Sequence, residues 1–274
     1  VGGWAMFSWT YPNIDPIAVS LGPIVIRWYA LAYLAGFLFG WRYCMKLALQ
    51  SPSPLTPKLY DDFLFWAVLG TVLGGRLGYI LFYQSDYYFN NPFEMLKIWH
   101  GGMSFHGGMM GVIIAAWMFT RHYKVPFFAF TDLLACVAPL GLGFGRLANF
   151  VNGELYGRMT TMPWGMVFPR GGDVLRHPSQ LYEALMEGVV LFVIMFFLSR
   201  RASYRGRVGL LSGTFLSLYG LFRFAIEFFR EPDIQLGFLY GGATMGQLLC
   251  LPMILFGVYV ILWSERRLKR RSVV

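Results

Sequence analysis

Apolar stretches about 20 residues long recur seven times in this chain, near 23–43, 63–83, 103–120, 130–148, 181–199, 208–228 and 243–263. A helix rising about 1.5 Å per residue needs that length to cross a hydrocarbon core of roughly 30 Å. Backbone N–H and C=O groups in hydrocarbon must pair within their own segment, so the runs read as helices. Composition removes the soluble alternative. Of 274 residues, 57% are hydrophobic and 14% charged, where a soluble domain carries roughly 25% charged residues. So few charges cannot cover a water-facing surface. The expected fold class is an all-α polytopic membrane protein of about seven transmembrane helices, with residues 1–274 forming a single integral membrane domain.

A formal charge of +9 is also the footprint of a nucleic-acid binder, but the basic residues lie in the wrong places for that. Loops 44–62, 121–129 and 200–207 and the tail 264–274 hold thirteen lysines and arginines, from Lys46 to Arg271. The alternate loops 84–102, 149–180 and 229–242 hold five: Lys97, Arg158, Arg170, Arg176 and Arg230. The positive-inside rule makes the richer set cytoplasmic. The N-terminus is then outside, the C-terminus inside, and 149–180 is an outward-facing, periplasmic segment. The three cysteines, Cys44, Cys136 and Cys250, form no CxxC pair and lie in or beside apolar runs, so neither a disulfide framework nor a zinc site is indicated. No charged n-region or cleavage site opens the chain, and the first apolar run reads as a retained span. Val1 to Ala5 read as an appended remnant ahead of a native start at Met6. No repeat of fixed period is visible, and seven spans do not divide into two equal halves, which weakens a transporter reading.

Ionisable groups inside apolar spans cost about 2.5–3.5 kcal/mol or more at the bilayer centre, so they tend to face a polar cavity. Four places carry them. The second span holds Gly74-Gly75-Arg76-Leu77-Gly78-Tyr79, in which Gly70, Gly74 and Gly78 recur every fourth residue as a packing stripe. The third opens with Gly101-Gly102-Met103-Ser104-Phe105-His106-Gly107-Gly108, and the fourth ends in Gly145-Arg146-Leu147-Ala148-Asn149 followed by Gly153-Glu154. In the sixth, Tyr219, Arg223 and Glu227 stand at i, i+4 and i+8, one helical face, with Arg230 beyond. A self-neutralising Arg223–Glu227 pair is the structural reading of that stripe; a ligand cavity is the functional one.

Arg146, Arg223 and Arg230 fall toward the outer ends of their spans, as does His106. Guanidiniums converging at that depth suit a phosphate, whose oxygens their planar fork binds bidentately, and a phospholipid head group is the phosphate found there. A lone histidine is commonly a packed residue, but glycine pairs on both sides of His106 add weight to a functional role. His100 and His122 lie in loops and receive none. His177, before Pro178, is left open.

The runs RWYALAYLAGF, GGRLGYILFY, GGMSFHGGMMG, GRLANFVNGELYGR, RHPSQLYEALMEG and YGLFRFAIEFFREPD, in this order, closely resemble the prolipoprotein diacylglyceryl transferase family. The resemblance spans Pro12 to Trp263. Two departures are Ala148, where many members have glycine, and a compact stretch between Trp164 and Arg176. The resemblance implies transfer of a diacylglyceryl group from phosphatidylglycerol to the lipobox cysteine thiol of a bacterial preprolipoprotein, forming a thioether and releasing glycerol phosphate. It implies His106 as base, Arg146 and Arg223 as phosphate clamps, and Tyr29, Asn149, Glu154, Gly157 and Glu227 as supporting site residues; Arg76 and Tyr219 are second-tier candidates, either for packing or for positioning the head group. It implies no cofactor and no metal, no nucleic-acid partner, and a multi-pass location in the bacterial cytoplasmic (inner) membrane with the active site toward the outer face.

The chemistry agrees with the residues. Making a thioether at a glycerol carbon breaks a C–O bond, so a thiol must lose its proton and a departing phosphate must be stabilised. No Cys or Ser nucleophile stands near a base in sequence, and direct attack by the substrate's sulfur is the simpler course. A transporter or binding protein for an anionic phospholipid would also gather arginines in a cavity, and a membrane scaffold would explain the glycines and aromatics.

Overall fold

The computed structural model describes residues 9–12, 14–22, 24–50, 55–98, 101–232 and 237–271. Val1 to Met6 and His100 lie outside the described residues. The chain forms two compact units, Val1–Leu47 with Asp132–Val274 and Ala48–Thr131.

In the first unit an antiparallel hairpin, β1 (Ile17–Leu21) and β2 (Ile24–Arg27), precedes α1 (Trp28–Ala48). The hairpin is a departure from the all-α expectation. Its strands are rich in β-branched residues, and Gly22 turns between them at φ 60°. The rest of the unit is α5 (Phe127–Val151, from Asp132 onward), α6 (Ser179–Glu183), a π-helical segment (Ala184–Val190), α7 (Leu191–Arg200), α8 (Ala202–Arg205), α9 (Leu210–Ile226) and α10 (Met245–Arg271). The second unit holds α2 (Pro57–Tyr83), α3 (Ser85–Asn90) and α4 (Phe105–His122).

Six of the seven apolar windows fall on helical segments, and the first, 23–43, takes in β2 before continuing as α1. Among the described residues, four stretches are long and apolar enough to cross a membrane: Pro57–Tyr83, Phe127–Val151, Ser179–Arg200 and Met245–Leu268. Leu210–Ile226 is a shorter apolar helix. Their outer surfaces carry large apolar side chains such as Phe65, Phe82 and Leu255, the exterior a membrane protein presents to lipid. The protein is therefore a mostly helical membrane protein.

Glycine decides how closely helices approach. In the second unit α2 and α4 run antiparallel through Gly70, Gly74 and Gly78 against Gly107 and Gly111. A Cβ on Gly107 would stand 2.3 Å from the Gly74 carbonyl oxygen, and one on Gly70 would stand 2.6 Å from that of Gly111. The expected packing stripe is thus a seam in which no larger residue fits. Phe63, Phe119 and Phe130 fill the unit's interior, with Tyr60 stacked on Phe130 at 4.9 Å. In the first unit α9 and α10 pair antiparallel through Gly213, Gly220 and Gly257. Asp132 of α5 caps α9 from a distance: its carboxylate accepts from the N–H groups of Gly209 (2.7 Å) and Ser212 (2.8 Å) and from the Ser212 hydroxyl (2.7 Å). These are donors that a helix start leaves unpaired.

Segment 152–178 folds over the other end of this unit. Its small core is Tyr11, Met166 and Phe168. The Tyr11 hydroxyl donates to the carbonyls of Phe150 (2.8 Å) and Val151 (2.9 Å), terminating α5.

Candidate active site

Four helix ends meet here: Arg146 near the C-terminus of α5, Glu183 closing the short α6, Glu227 just past α9 and Thr244 just ahead of α10. The approach of α5 to the π-helical segment depends on two glycines, since a Cβ on Gly188 would lie 2.7 Å from Gly143 Cα. One turn along α5, Arg146 then reaches the acidic pair Glu183 and Glu187. Its Nε stands 2.7 Å from Glu183 Oε2 and 3.7 Å from Glu187 Oε2. From α9, Arg223 places one terminal nitrogen 2.9 Å from Glu227 and the other 3.9 Å from Glu183. Arg230, just past α9, donates to Glu183 Oε1 at 2.8 Å and lies 3.4 Å from Glu227.

Three guanidiniums and three carboxylates therefore balance in formal charge. The Glu183 and Glu187 side chains are 1% and 0% exposed, so these ions have lost nearly all hydration and depend on one another. Their hydrogen bonding is nevertheless incomplete. Glu183 Oε2, both Glu187 oxygens, Arg223 NH1, Glu227 Oε2 and Arg230 Nε are buried without an aligned partner. Buried polar groups are ordinarily satisfied, so such a concentration marks a place where something polar belongs.

Most of the sequence-derived residues gather around this cluster. Tyr33 and Tyr219 lie within charge-interaction range of Arg146, and Tyr29 within range of both Arg146 and Glu154; the Tyr29 and Tyr33 hydroxyls are 3.2 Å apart. Asn149 and Asn152 both donate to Glu154 Oε1, at 2.9 and 3.2 Å. Glu227 has a second anchor in the Thr244 hydroxyl at 3.0 Å.

Gly157 is placed for steric reasons. A Cβ there would fall 2.4 Å from the Phe229 carbonyl oxygen and 2.8 Å from His177, so only glycine lets this backbone slide between the two chains beside it. The benefit passes to Arg158, whose Nε donates to the Arg230 carbonyl at 2.7 Å and whose NH2 donates to that of Glu227 at 3.2 Å. His177, left open from the sequence, takes a structural place: its Nδ1 is 3.1 Å from the Tyr182 hydroxyl, which accepts from Trp164 at 2.7 Å. Partial burial holds the His177 imidazole below its ordinary range.

His106 and Arg76 belong to the second unit. His106 is exposed on the first turn of α4, and the turn is fixed by Ser104, whose Oγ accepts from Gly107 N–H at 3.2 Å and whose own N–H donates to the Gly75 carbonyl at 2.9 Å. Arg76 is 4% exposed and spends its guanidinium on backbone carbonyls. Nε donates to Met95 at 3.0 Å, NH2 to Glu94 at 2.6 Å and Lys97 at 3.1 Å, and NH1 to Gly101 and Gly102. Tyr88 stacks on it at 5.0 Å. Here Arg76 ties residues 94–97 to Gly101 and Gly102.

Glu183 and Glu187 were missing from the sequence-derived set, although the same signal applies to them: two ionisable residues four apart inside an apolar run. Arg158 carried no such signal, because its partners are main-chain carbonyls.

The family model described as prolipoprotein diacylglyceryl transferase matches residues 16–263. The phosphatidylglycerol–prolipoprotein diacylglyceryl transferase of Azospirillum brasilense is 57% identical over 264 residues, covering 96% of this chain and 98% of the relative. Proteins of the same name from Paramagnetospirillum magneticum and Nitratidesulfovibrio vulgaris (strain DP4) are 56% and 52% identical, covering 95% and 92% of this chain and 97% and 95% of their own lengths. Every residue of the buried cluster falls within the matched span, and the chain belongs to the prolipoprotein diacylglyceryl transferase family.

Proposed function

We propose that this protein transfers the diacylglyceryl group of phosphatidylglycerol to the lipobox cysteine of bacterial preprolipoproteins. The names of its relatives specify phosphatidylglycerol and a prolipoprotein. The observation that carries the reading is the cluster of Arg146, Arg223 and Arg230, buried yet incompletely hydrogen-bonded.

In the reaction the lipobox thiol gives its proton to a base, and the sulfur attacks the glycerol carbon next to the phosphate. The C–O bond breaks, its electron pair stays on the phosphate oxygen, and glycerol phosphate leaves. Arg146 and Arg223 bind the phosphate and stabilise the charge developing on it, which a preorganised site does better than water. His106 is the base. Glu227 orients Arg223. Asn149, Glu154, Tyr29 and Tyr219 line the polar surroundings of Arg146, and Gly157 supports the site through the backbone it admits. Arg76 shapes the second unit's loop.

An acyltransferase acting on the same cysteine would also leave lipid on protein, but as one chain in a thioester. Purified protein incubated with phosphatidylglycerol and a lipobox peptide should instead yield a peptide bearing glycerol with both ester-linked chains, together with free glycerol phosphate. The sulfur–glycerol link should survive neutral hydroxylamine. A single-acyl mass gain, or release of the unmodified thiol peptide, would assign the wrong reaction. An unmodified peptide would leave a lipid-binding or transport protein.

All seven apolar helices serve as membrane spans in this reading. The protein lies in the bacterial cytoplasmic membrane with its N-terminus outside, its C-terminus cytoplasmic and its site toward the outer face. The basic-residue bias supports that orientation. Single cysteines introduced at the exposed positions Asn90 and Thr161 should react with an impermeant maleimide in intact spheroplasts, and one at exposed Ser203 should not. The reverse pattern would put the site on the cytoplasmic face.

A further inference from the structure

Glu183 receives three guanidiniums from three parts of the chain. Arg146 and Arg223 approach its Oε2, and Arg230 donates to its Oε1. Two anionic oxygens spread across several guanidinium donors is how arginines hold a phosphate. The fit is imperfect, however. Glu183 Oε2 has no aligned hydrogen bond although Arg146 Nε is 2.7 Å away, and Arg223 NH1 is left with none. A carboxylate offers two coplanar oxygens, whereas a phosphate is tetrahedral and can meet donors that converge from different directions. Glu183 also sits at the junction where α6 passes into the π-helical segment Ala184–Val190, a wider winding that recurs at functional sites.

We infer that Glu183 is an internal stand-in for the substrate phosphate, holding the arginines assembled before the lipid arrives and yielding Arg146 and Arg223 to the head group when it enters. The inference rests on the proposed reaction and makes Glu183 a positioning residue, since it touches the arginines and not the reacting atoms. Its chemistry follows from competition. With three guanidiniums already balanced by Glu183, Glu187 and Glu227, an entering phosphate must displace an anion. The apparent lipid affinity is then the intrinsic affinity reduced by the fraction of molecules in which Glu183 has let go. The same competition helps to expel glycerol phosphate after transfer.

The test is Glu183→Gln, which keeps the side chain's size and an acceptor oxygen but removes its charge. Rates are measured against the mole fraction of phosphatidylglycerol in mixed micelles, with and without added glycerol phosphate. A stand-in predicts an apparent KM lower by about tenfold, glycerol phosphate inhibiting at correspondingly lower concentration, and kcat reduced as product release slows. A purely structural Glu183 predicts the opposite sign: disordered arginines, a higher KM and weaker product inhibition. A folded Glu183→Gln protein with unchanged or raised KM overturns the inference. If that variant does not fold, Glu183→Asp draws the carboxylate back by one methylene and should lower KM by a smaller factor. A raised KM there, or failure of both variants to fold, identifies Glu183 as scaffold and also overturns it. Absence of thioether product from the unmodified protein would instead defeat the reaction itself.

Discussion

Lysine in place of Arg146 or Arg223 is expected to lower diacylglyceryl transfer about 10²-fold or more while the protein still folds, the scale on which removing one preorganised stabilising donor is felt. Charge is conserved in both variants. What is lost is the planar fork, which lets Arg223 hold Glu227 at 2.9 Å with one terminal nitrogen while the other lies 3.9 Å from Glu183 without a hydrogen bond. An ammonium is a single point charge and cannot face two anions across a rigid plane. Alanine is less informative. It would strand Glu183 or Glu227 in a buried setting, and breaking a buried pair from one side costs about 3–5 kcal/mol, so lost folding and lost chemistry would mix. The measurement is the initial rate of thioether formation, read beside the thermal midpoint of the detergent-solubilised protein. Lysine variants with a normal midpoint and near-normal rates would reduce the arginines to a diffuse positive field.

Much of this architecture was legible because the bilayer imposes its own rules on sequence. Apolar windows located the helices, but not their lengths. The 63–83 window lies on a helix that begins at Pro57, and the 243–263 window on one that continues to Arg271. Hydropathy measures the part that suits hydrocarbon, while helical winding continues into polar sequence. The Gly70, Gly74 and Gly78 stripe was readable as packing, since a fourfold spacing of small residues has few other uses. In the sixth window the expected face of Tyr219, Arg223 and Glu227 kept its i, i+4 ion pair even though α9 ends at Ile226.

Pairing across distant segments was not legible. Glu183 and Arg230 are 47 residues apart, and nothing local in the sequence joins them. The sequence therefore offers Glu227 as a partner for Arg223 and a phosphate for the other arginines, where the fold supplies two further carboxylates, Glu183 and Glu187. Gly157, a supporting site residue by resemblance, has the Phe229 carbonyl and His177 packed directly against it. Arg76, a candidate either for packing or for positioning a head group, finds its partners in carbonyls up to 26 residues away. Both cases share a physical cause: a motif marks a position as constrained without saying whether ligand or main chain sets the constraint.

For His106, Gln is expected to abolish most transfer at neutral pH, by about 10²-fold or more, within the range a general base contributes. The substitution is mild for the fold. His106 is exposed on the first turn of α4, and that turn is held by the Ser104 cap and by Gly107 against Gly74, neither of which involves the imidazole. Gln retains hydrogen bonding but cannot accept a proton. The residual reaction then depends on thiolate that forms unaided, and with a thiol pKa near 8.5 only about 3% is thiolate at pH 7. Raising the pH to 8.5 brings half of the thiol into that form, so the variant should recover by roughly an order of magnitude over that interval. The unmodified protein should gain much less, since its base already supplies the thiolate. A lipobox peptide of lowered thiol pKa should narrow the gap between the two proteins in the same way. Equal rates for His106→Gln and the unmodified protein across neutral pH would remove His106 from the proton path, leaving the arginine cluster to act on a thiol ionised elsewhere.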